Sequence, residues 1–284
     1  MRRLLVVALV LWAGQARAWN PHGHRVVAAV AHARLQPRVQ QRVAALLASR
    51  PEYRQWAAGV PPAERDRAAF LRAANWADDI RELPAYSEAQ KHKDWHYINV
   101  PFSIDGTRTR PPAVPNVETQ IRELRRQLAA PGTSDEAKSS ALVWLLHLVG
   151  DVHMPLHCVA RFDRLLPQGD RGGTLILLSA DPKDHLHGFW DRALGDEGDV
   201  RMALAAAQAL PEPPAALAAI ADEKVWVAEG VEAAKRWVYR GPVKAGPGPF
   251  TLDPVYGRDA RAISAQRIAL AGARLAKLLN EALR

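Results

Sequence analysis

Residues 147–157, HLVGDVHMPLH, end a long apolar run and set three polar side chains inside it. His147 and Asp151 are four residues apart, so on a helix they project from one face, about 5–6 Å apart at Cβ. Pro155 cannot continue the helix because its ring clashes with the preceding turn, and the break lets His157 return toward the same space. Since acids and imidazoles are costly to bury unpaired, we interpret these three residues as candidate metal ligands. A buried helix with one satisfied histidine is the alternative.

The first residues, MRRLLVVALVLWAGQARA (1–18), have the form of a signal peptide. Two arginines precede an apolar stretch that is too short to span a bilayer, and Ala16-Arg17-Ala18 resembles a cleavage site. We predict cleavage before Trp19, a mature domain over 19–284, a secreted or periplasmic location and no membrane insertion after cleavage. An uncleaved amphipathic anchor is the alternative.

The 284-residue chain has a formal net charge of +8, which falls to +5 without residues 1–18 because three arginines and no acids are lost. A mildly basic protein is compatible with a polyanionic substrate. Cys158 is the only cysteine, which excludes an intrachain disulfide. We interpret it as a small buried apolar residue, with metal ligation as the alternative.

Apolar residues recur mainly at helical spacing, and Asn20-Pro21 is a typical helix start. We predict an all-α fold, a single mainly helical domain, with one short β-hairpin in RGGTLILL (171–178). Helices are predicted at about 22–35, 37–49, 64–82, 116–130, 134–153, 186–195, 199–209, 214–239 and 257–283.

Two further groups of candidate ligands lie in the first third of the chain. Cleavage would give Trp19 a free α-amino group with a pKa of about 7.7–8, close in sequence to His24, with His22 as a competitor. In NWADDIR (75–81), Asp78 and Arg81 share a helix face, and an ordinary ion pair is the alternative.

Two more groups follow along the chain. His96 lies in DWHYIN (94–99), which we predict to be extended, and packing between its aromatic neighbours is the alternative to ligation. His187 and Asp191 repeat the His-x-x-x-Asp spacing of the central segment. A second pair with this spacing favours a metal site over a structural role.

The order of these motifs over nearly the whole mature chain resembles the zinc-dependent single-strand nucleases of the S1/P1 and mung-bean type. The resemblance implies a fold like that of the phospholipase C and P1 nuclease proteins, with three zinc ions in a cleft. Carried over, the first zinc is bound by Asp78, His96, His147 and Asp151. The second is bound by the Trp19 amine and carbonyl with His24 and Asp151, and the third by His157, His187 and Asp191.

The resemblance also implies the chemistry. A hydroxide bridging the two close zinc ions attacks phosphorus, the third zinc stabilises the departing 3′-oxygen, and Arg81 stabilises the transition state; Asp78, Asp151 and Arg81 are the implied catalytic residues. Tyr97 would stack a base. Substrates would be single-stranded DNA, RNA and 3′-nucleotides, with 5′-phosphorylated products and no stable protein partner.

Two positions depart from the family pattern. Asn99, an implied substrate contact, stands where the fungal members have aspartate, and Thr174 stands where many members have asparagine. These changes affect base preference and hydrogen bonding in the cleft. The alternatives to a nuclease are a zinc-dependent phospholipase C, whose final ligand is usually glutamate where this chain has Asp191, and a non-enzymatic exported zinc-binding protein.

Overall fold

The computed structural model describes residues 19–196 and 198–284, so the predicted signal peptide lies outside them. These residues form a mainly helical fold, as predicted. The helices are α1 (Pro21–His32), α2 (Pro37–Ala48), α3 (Tyr53–Trp56), α4 (Arg65–Ala73), α5 (Trp76–Glu82), α6 (Glu88–Lys91), α7 (Val117–Ala129), α8 (Asp135–Asp151), α9 (Pro155–Cys158), α10 (Leu186–Asp191), α11 (Val200–Ala209), α12 (Ala215–Ala218), α13 (Glu223–Ala233) and α14 (Pro254–Ala282). The strands are β1 (Val100–Ser103) and β2 (Val159–Phe162).

Helix α8 is the centre of the fold. Ser134 caps its N-terminus, since the Ser134 side chain accepts a hydrogen bond from the amide of Ala137, and two acidic residues in the first turn complement the helix dipole. Every residue from 141 to 151 is buried, and α1, α2, α5, α7 and α14 pack around the helix. A helix that is apolar on all sides has to be covered by other elements on all sides. The polar end of α8 is therefore held inside the protein.

The chain turns sharply after α8, as predicted. The helix ends at Asp151, and Pro155 occupies the first turn of the short helix α9, which carries His157. Proline is favoured there because the first turn needs no amide donor. The turn brings His157 back beside the end of α8.

The β structure differs from the prediction. Strands β1 and β2 pair in parallel, with Val100 opposite Val159, whereas segment 171–178 contains only an isolated bridge between Leu177 and His185. The predicted hairpin was wrong because residues 171, 172 and 173 all have positive φ, which turns the backbone out of an extended path. Parallel strands need a long crossover, and here α7, α8 and α9 supply it.

Three other predicted segments need correction. Helix 64–82 is interrupted at Ala74–Asn75, and helix 214–239 is broken because the side chain of Asp222 caps a new helix, α13. Segment 94–99 begins in a 3-10 turn, Lys93–His96, and becomes extended only at Tyr97. The interruption at Ala74 matters for the site described below.

The two ends of the described chain pack together. Asn20 caps the N-terminus of α1, since its side chain accepts a hydrogen bond from the amide of Gly23, and this confirms the start predicted from Asn20-Pro21. The long helix α14 packs along α1. Within residues 19–196 and 198–284, no helix combines the length and apolar character needed to cross a bilayer.

Candidate metal centre

Asp151, at the end of α8, is surrounded by three imidazoles. Its Oδ2 atom lies 3.0 Å from Nδ1 of His96 and 3.3 Å from Nε2 of His147. Its Oδ1 atom lies 3.3 Å from Nε2 of His24. The Asp151 and His147 side chains are fully buried, and those of His24 and His96 are 1% exposed. The two oxygens of one carboxylate thus face different ligand groups, as a bridging role requires.

Helix α5 adds a second carboxylate to this group. Oδ1 of Asp78 lies 3.8 Å from Nε2 of His147 and 3.9 Å from Nδ1 of His96. The same oxygen accepts a hydrogen bond of 3.0 Å from the Arg81 guanidinium, one turn later on the helix. Both side chains are buried. The Asp78–Arg81 ion pair, which the sequence offered as the alternative to ligation by Asp78, is present, and it adjoins the imidazoles.

A second group lies beside the first. Nε2 of His157, on α9, is 3.2 Å from Nε2 of His187, on α10. Nε2 of His187 is in turn 3.5 Å from Oδ1 of Asp191. The parallel strands join the two groups, because β1 follows His96 and β2 follows His157, and Nδ1 of His157 is 2.5 Å from the carbonyl of His96.

Trp19 and His24 meet α8 at a glycine. The indole of Trp19 donates a hydrogen bond to the carbonyl of Gly150, and the ring of His24 stacks on that of His147 at 3.9 Å. A Cβ atom at Gly150 would lie 2.9 Å from Nδ1 of His24. The absence of a side chain at Gly150 therefore lets His24 reach Asp151.

The distances between these donor atoms suit a bound zinc ion. Two ligands that each lie about 2.0–2.1 Å from zinc at tetrahedral angles are roughly 3.3 Å apart, and five of the separations above are 3.0–3.5 Å. Within the described chain, both ring nitrogens of His24 and Oδ1 of Asp151 are buried and have no hydrogen-bond partner. A cation would satisfy them, and nitrogen and oxygen donors are suitable for zinc.

Burial sets the protonation of the imidazoles. It lowers the pKa of His24, His96 and His157 well below the ordinary histidine value, so their nitrogens can offer lone pairs at neutral pH. Burial also disfavours a charge on His147, but the carboxylates of Asp151 and Asp78 outweigh it and raise the pKa of His147 to about 9. The space between these carboxylates therefore favours positive charge.

Backbone carbonyls lie beside the other ring nitrogens of the imidazoles, as the His96 carbonyl does for His157. Nδ1 of His147 lies 2.7 Å from the carbonyl of Ala74, and Nδ1 of His187 lies 2.7 Å from that of Gly172. The Ala74 carbonyl is available because the chain is not helical there: the amide of Asp78 donates instead to Asn75. Such contacts orient a ligand histidine. No side-chain pattern in the sequence signals them, so they were not predicted.

Tyr97 and Asn99 lie between His96 and the start of β1. The half-buried Tyr97 donates a hydrogen bond of 3.0 Å from its hydroxyl to Asp94. Asn99, also half-buried, has a positive φ of 56°. Tyr97 directly follows the candidate ligand His96 in the chain, and Asn99 directly precedes β1.

The side-chain thiol of Cys158 and the hydroxyl of Thr174 are both buried. The Cys158 thiol is buried, donates to the carbonyl of Val152 at 3.2 Å and has its pKa raised to about 12 by burial. These features match a packing residue. Oγ1 of Thr174 is buried without a hydrogen-bond partner among the described residues.

The chain is similar to known proteins over nearly its whole length. The S1/P1 nuclease family matches residues 19–284. Endonuclease 2 of Arabidopsis thaliana is 24% identical over 306 residues, covering 98% of this chain and 94% of the relative. Endonuclease 1 of the same plant is 26% identical over 309 residues, covering 98% and 92%.

Proposed function

This chain belongs to the S1/P1 nuclease family, and we propose that it is an exported zinc-dependent phosphodiesterase. Its proposed substrates are single-stranded DNA and RNA, which it would hydrolyse to 5′-phosphorylated products, together with 3′-nucleotides. The observation that carries the proposal is the buried cluster around Asp151, with donor separations suited to zinc.

Three zinc positions are proposed from the ligand groups. Bound zinc would polarise phosphoryl oxygens and lower the pKa of a bound water toward 7. Asp151 would serve two positions, because its Oδ1 faces His24 and its Oδ2 faces His96 and His147. The complete proposed ligand set is Trp19, His24, Asp78, His96, His147, Asp151, His157, His187 and Asp191.

Arg81 is proposed to bind the scissile phosphate. Its ion pair with Asp78 holds the guanidinium beside the ligand cluster. A guanidinium carries five N–H donors in a planar fork, so donation to Asp78 is compatible with contact to a phosphate. A cation fixed in advance stabilises the charge that develops in the transition state.

Tyr97 and Asn99 are proposed to bind the nucleobase. The bond from the Tyr97 hydroxyl to Asp94 holds the ring beside His96. Stacking on an aromatic ring tolerates every base, and it favours single strands because duplex bases are already stacked. The Asn99 amide both donates and accepts hydrogen bonds, unlike a carboxylate, which only accepts.

Export is proposed from residues 1–18. Their composition is that of a signal peptide, and the family match begins at Trp19, directly after the proposed cleavage site. Cleavage there would create the α-amino ligand. The amide nitrogen of the precursor has no available lone pair, so processing would complete the metal centre.

A substrate panel tests the proposed function. Residues 19–284 would be incubated with single-stranded DNA, single-stranded RNA, a DNA duplex, a nucleoside 3′-phosphate and phosphatidylcholine, and product ends identified by mass spectrometry. We expect cleavage of both single strands to 5′-phosphates, slower cleavage of the duplex and release of phosphate from the 3′-nucleotide. Cleavage of phosphatidylcholine alone would indicate a phospholipase, and a zinc-loaded protein inert toward every substrate would indicate a zinc-binding protein.

A further inference from the structure

Arg171 adopts a backbone conformation that is unusual for its residue type. It begins a run of three positive φ angles, 54°, 59° and 81° at Arg171, Gly172 and Gly173. Glycine adopts such angles readily, whereas a long side chain is strained there. Gly172 is also required by space, since a Cβ atom would lie 2.3 Å from the carbonyl of Leu156. Nothing in the packing requires arginine at position 171, whose side chain is exposed.

Arg171 directly precedes a residue that contacts a candidate ligand. The carbonyl of the next residue, Gly172, lies 2.7 Å from Nδ1 of His187. The imidazole of His187 faces that of His157. Nδ1 of His157 in turn lies 2.5 Å from the carbonyl of His96, which directly precedes Tyr97. Arg171 and Tyr97 thus flank the same pair of imidazoles.

Arg81, the arginine beside the other ligand group, is already paired with the carboxylate of Asp78.

The Arg171 guanidinium has no ion pair or side-chain hydrogen bond to any residue within 19–196 and 198–284. Its neighbour Asp170 does not neutralise it: that carboxylate is buried and accepts from the hydroxyl of Tyr239 and the amide of Arg161. Arg171 is a strained, exposed cation beside the site, and such strain is a reason to look for function.

We propose that Arg171 binds a phosphate of the single strand that flanks the scissile phosphate, on the side of the His157–His187 pair. This inference rests on the proposed function and adds a second phosphate contact to that of Arg81. The planar guanidinium suits a phosphate because it can donate two parallel hydrogen bonds. A contact to a flanking phosphate affects only substrates that have one.

The test compares a dinucleoside monophosphate, which has one phosphate, with a single-stranded decanucleotide. Arg171→Gln should raise KM for the decanucleotide by about three- to tenfold, the effect of losing one partly exposed charged contact, and leave kcat unchanged. KM for the dinucleoside monophosphate should not change. The dependence of log kcat/KM on log salt concentration should become shallower by about 0.7 for the decanucleotide. Arg171→Lys should retain most of the wild-type behaviour.

Arg38→Gln is the matched control, since Arg38 is exposed on α2, one turn before Arg42, which pairs with Asp135 at the far end of α8. That end is about 24 Å from Asp151 along the helix. This variant should change neither KM nor the salt dependence. Zinc content should equal that of the wild type in all three variants.

Specific outcomes overturn the inference. An equal fall in kcat/KM on both substrates, or a loss of bound zinc, would mean that residue 171 acts through the backbone that holds His187. Unchanged KM and salt dependence for the decanucleotide would show that no flanking phosphate is bound there. If the wild-type protein cleaves neither substrate, the proposed function fails, and this inference fails with it.

Discussion

Replacing Asp151 with asparagine separates a bridging role from a merely structural one. Oδ1 faces His24 at 3.3 Å, while Oδ2 faces His96 at 3.0 Å and His147 at 3.3 Å. An asparagine amide keeps the shape but has one oxygen, and its nitrogen is a donor with no lone pair for a metal. Whichever way the amide turns, one ligand group loses its oxygen and the other keeps only a neutral one.

The expected size of the effect follows from this geometry. With one negative charge and one ligand atom removed from the shared position, we expect zinc to fall from three ions per chain to one. Loss of the two proposed adjacent ions would remove several kcal/mol of transition-state stabilisation, so cleavage of single-stranded DNA should fall by at least about 10³-fold. Zinc is measured by elemental analysis and cleavage by initial rates on a labelled oligonucleotide.

Asp163→Asn is the matched control for this substitution. Asp163 is also fully buried and accepts hydrogen bonds from the amides of Leu165, Leu166 and Gly246. The Asp163→Asn substitution should lower the stability of the fold without changing zinc content. Circular dichroism establishes that both variants fold. A folded Asp151→Asn protein with a full zinc complement and wild-type rates would refute the bridging role.

Three further predictions concern separate parts of the site. Arg81→Ala should keep zinc but lower kcat by about 10²–10³-fold, as for other charge-stabilising donors; loss of zinc would instead make Arg81 a support for Asp78. Tyr97→Ala should weaken single-strand binding by roughly 1–3 kcal/mol without changing zinc content, and an unchanged KM for oligonucleotides would show that the ring only packs. A Met-Ala extension ahead of Trp19, verified by mass spectrometry, should reduce zinc content and cleavage, whereas full zinc and full activity would exclude the N-terminal amine as a ligand.

The central part of the site could be predicted because its spacing is local. His147 and Asp151 share a helix face at a separation of four residues, and the helix breaks between Asp151 and Pro155, before His157. The structure brings these residues together as predicted. Local patterns also indicated the remaining candidate ligands, but grouping them around shared metal positions depended on a resemblance over the whole chain.

The errors come from features that only the tertiary structure determines. Strand β2, VARF, is four residues long and buried on both faces, so it has no alternation to signal a strand. RGGTLILL has apolar content typical of a strand, but three positive φ angles fold it into turns. The carbonyls of Ala74 and Gly172 orient two imidazoles only because the chain leaves regular structure at those points.

Zinc content and cleavage measured on one sample of residues 19–284 test the central claim most directly. The sample would be stripped with a chelator and zinc returned in steps, with bound zinc and the rate of single-stranded DNA cleavage measured at each step. We predict three zinc ions per chain, complete loss of cleavage in the stripped protein, and recovery as the adjacent positions around Asp151 refill. Undiminished cleavage by the fully stripped protein would contradict the account.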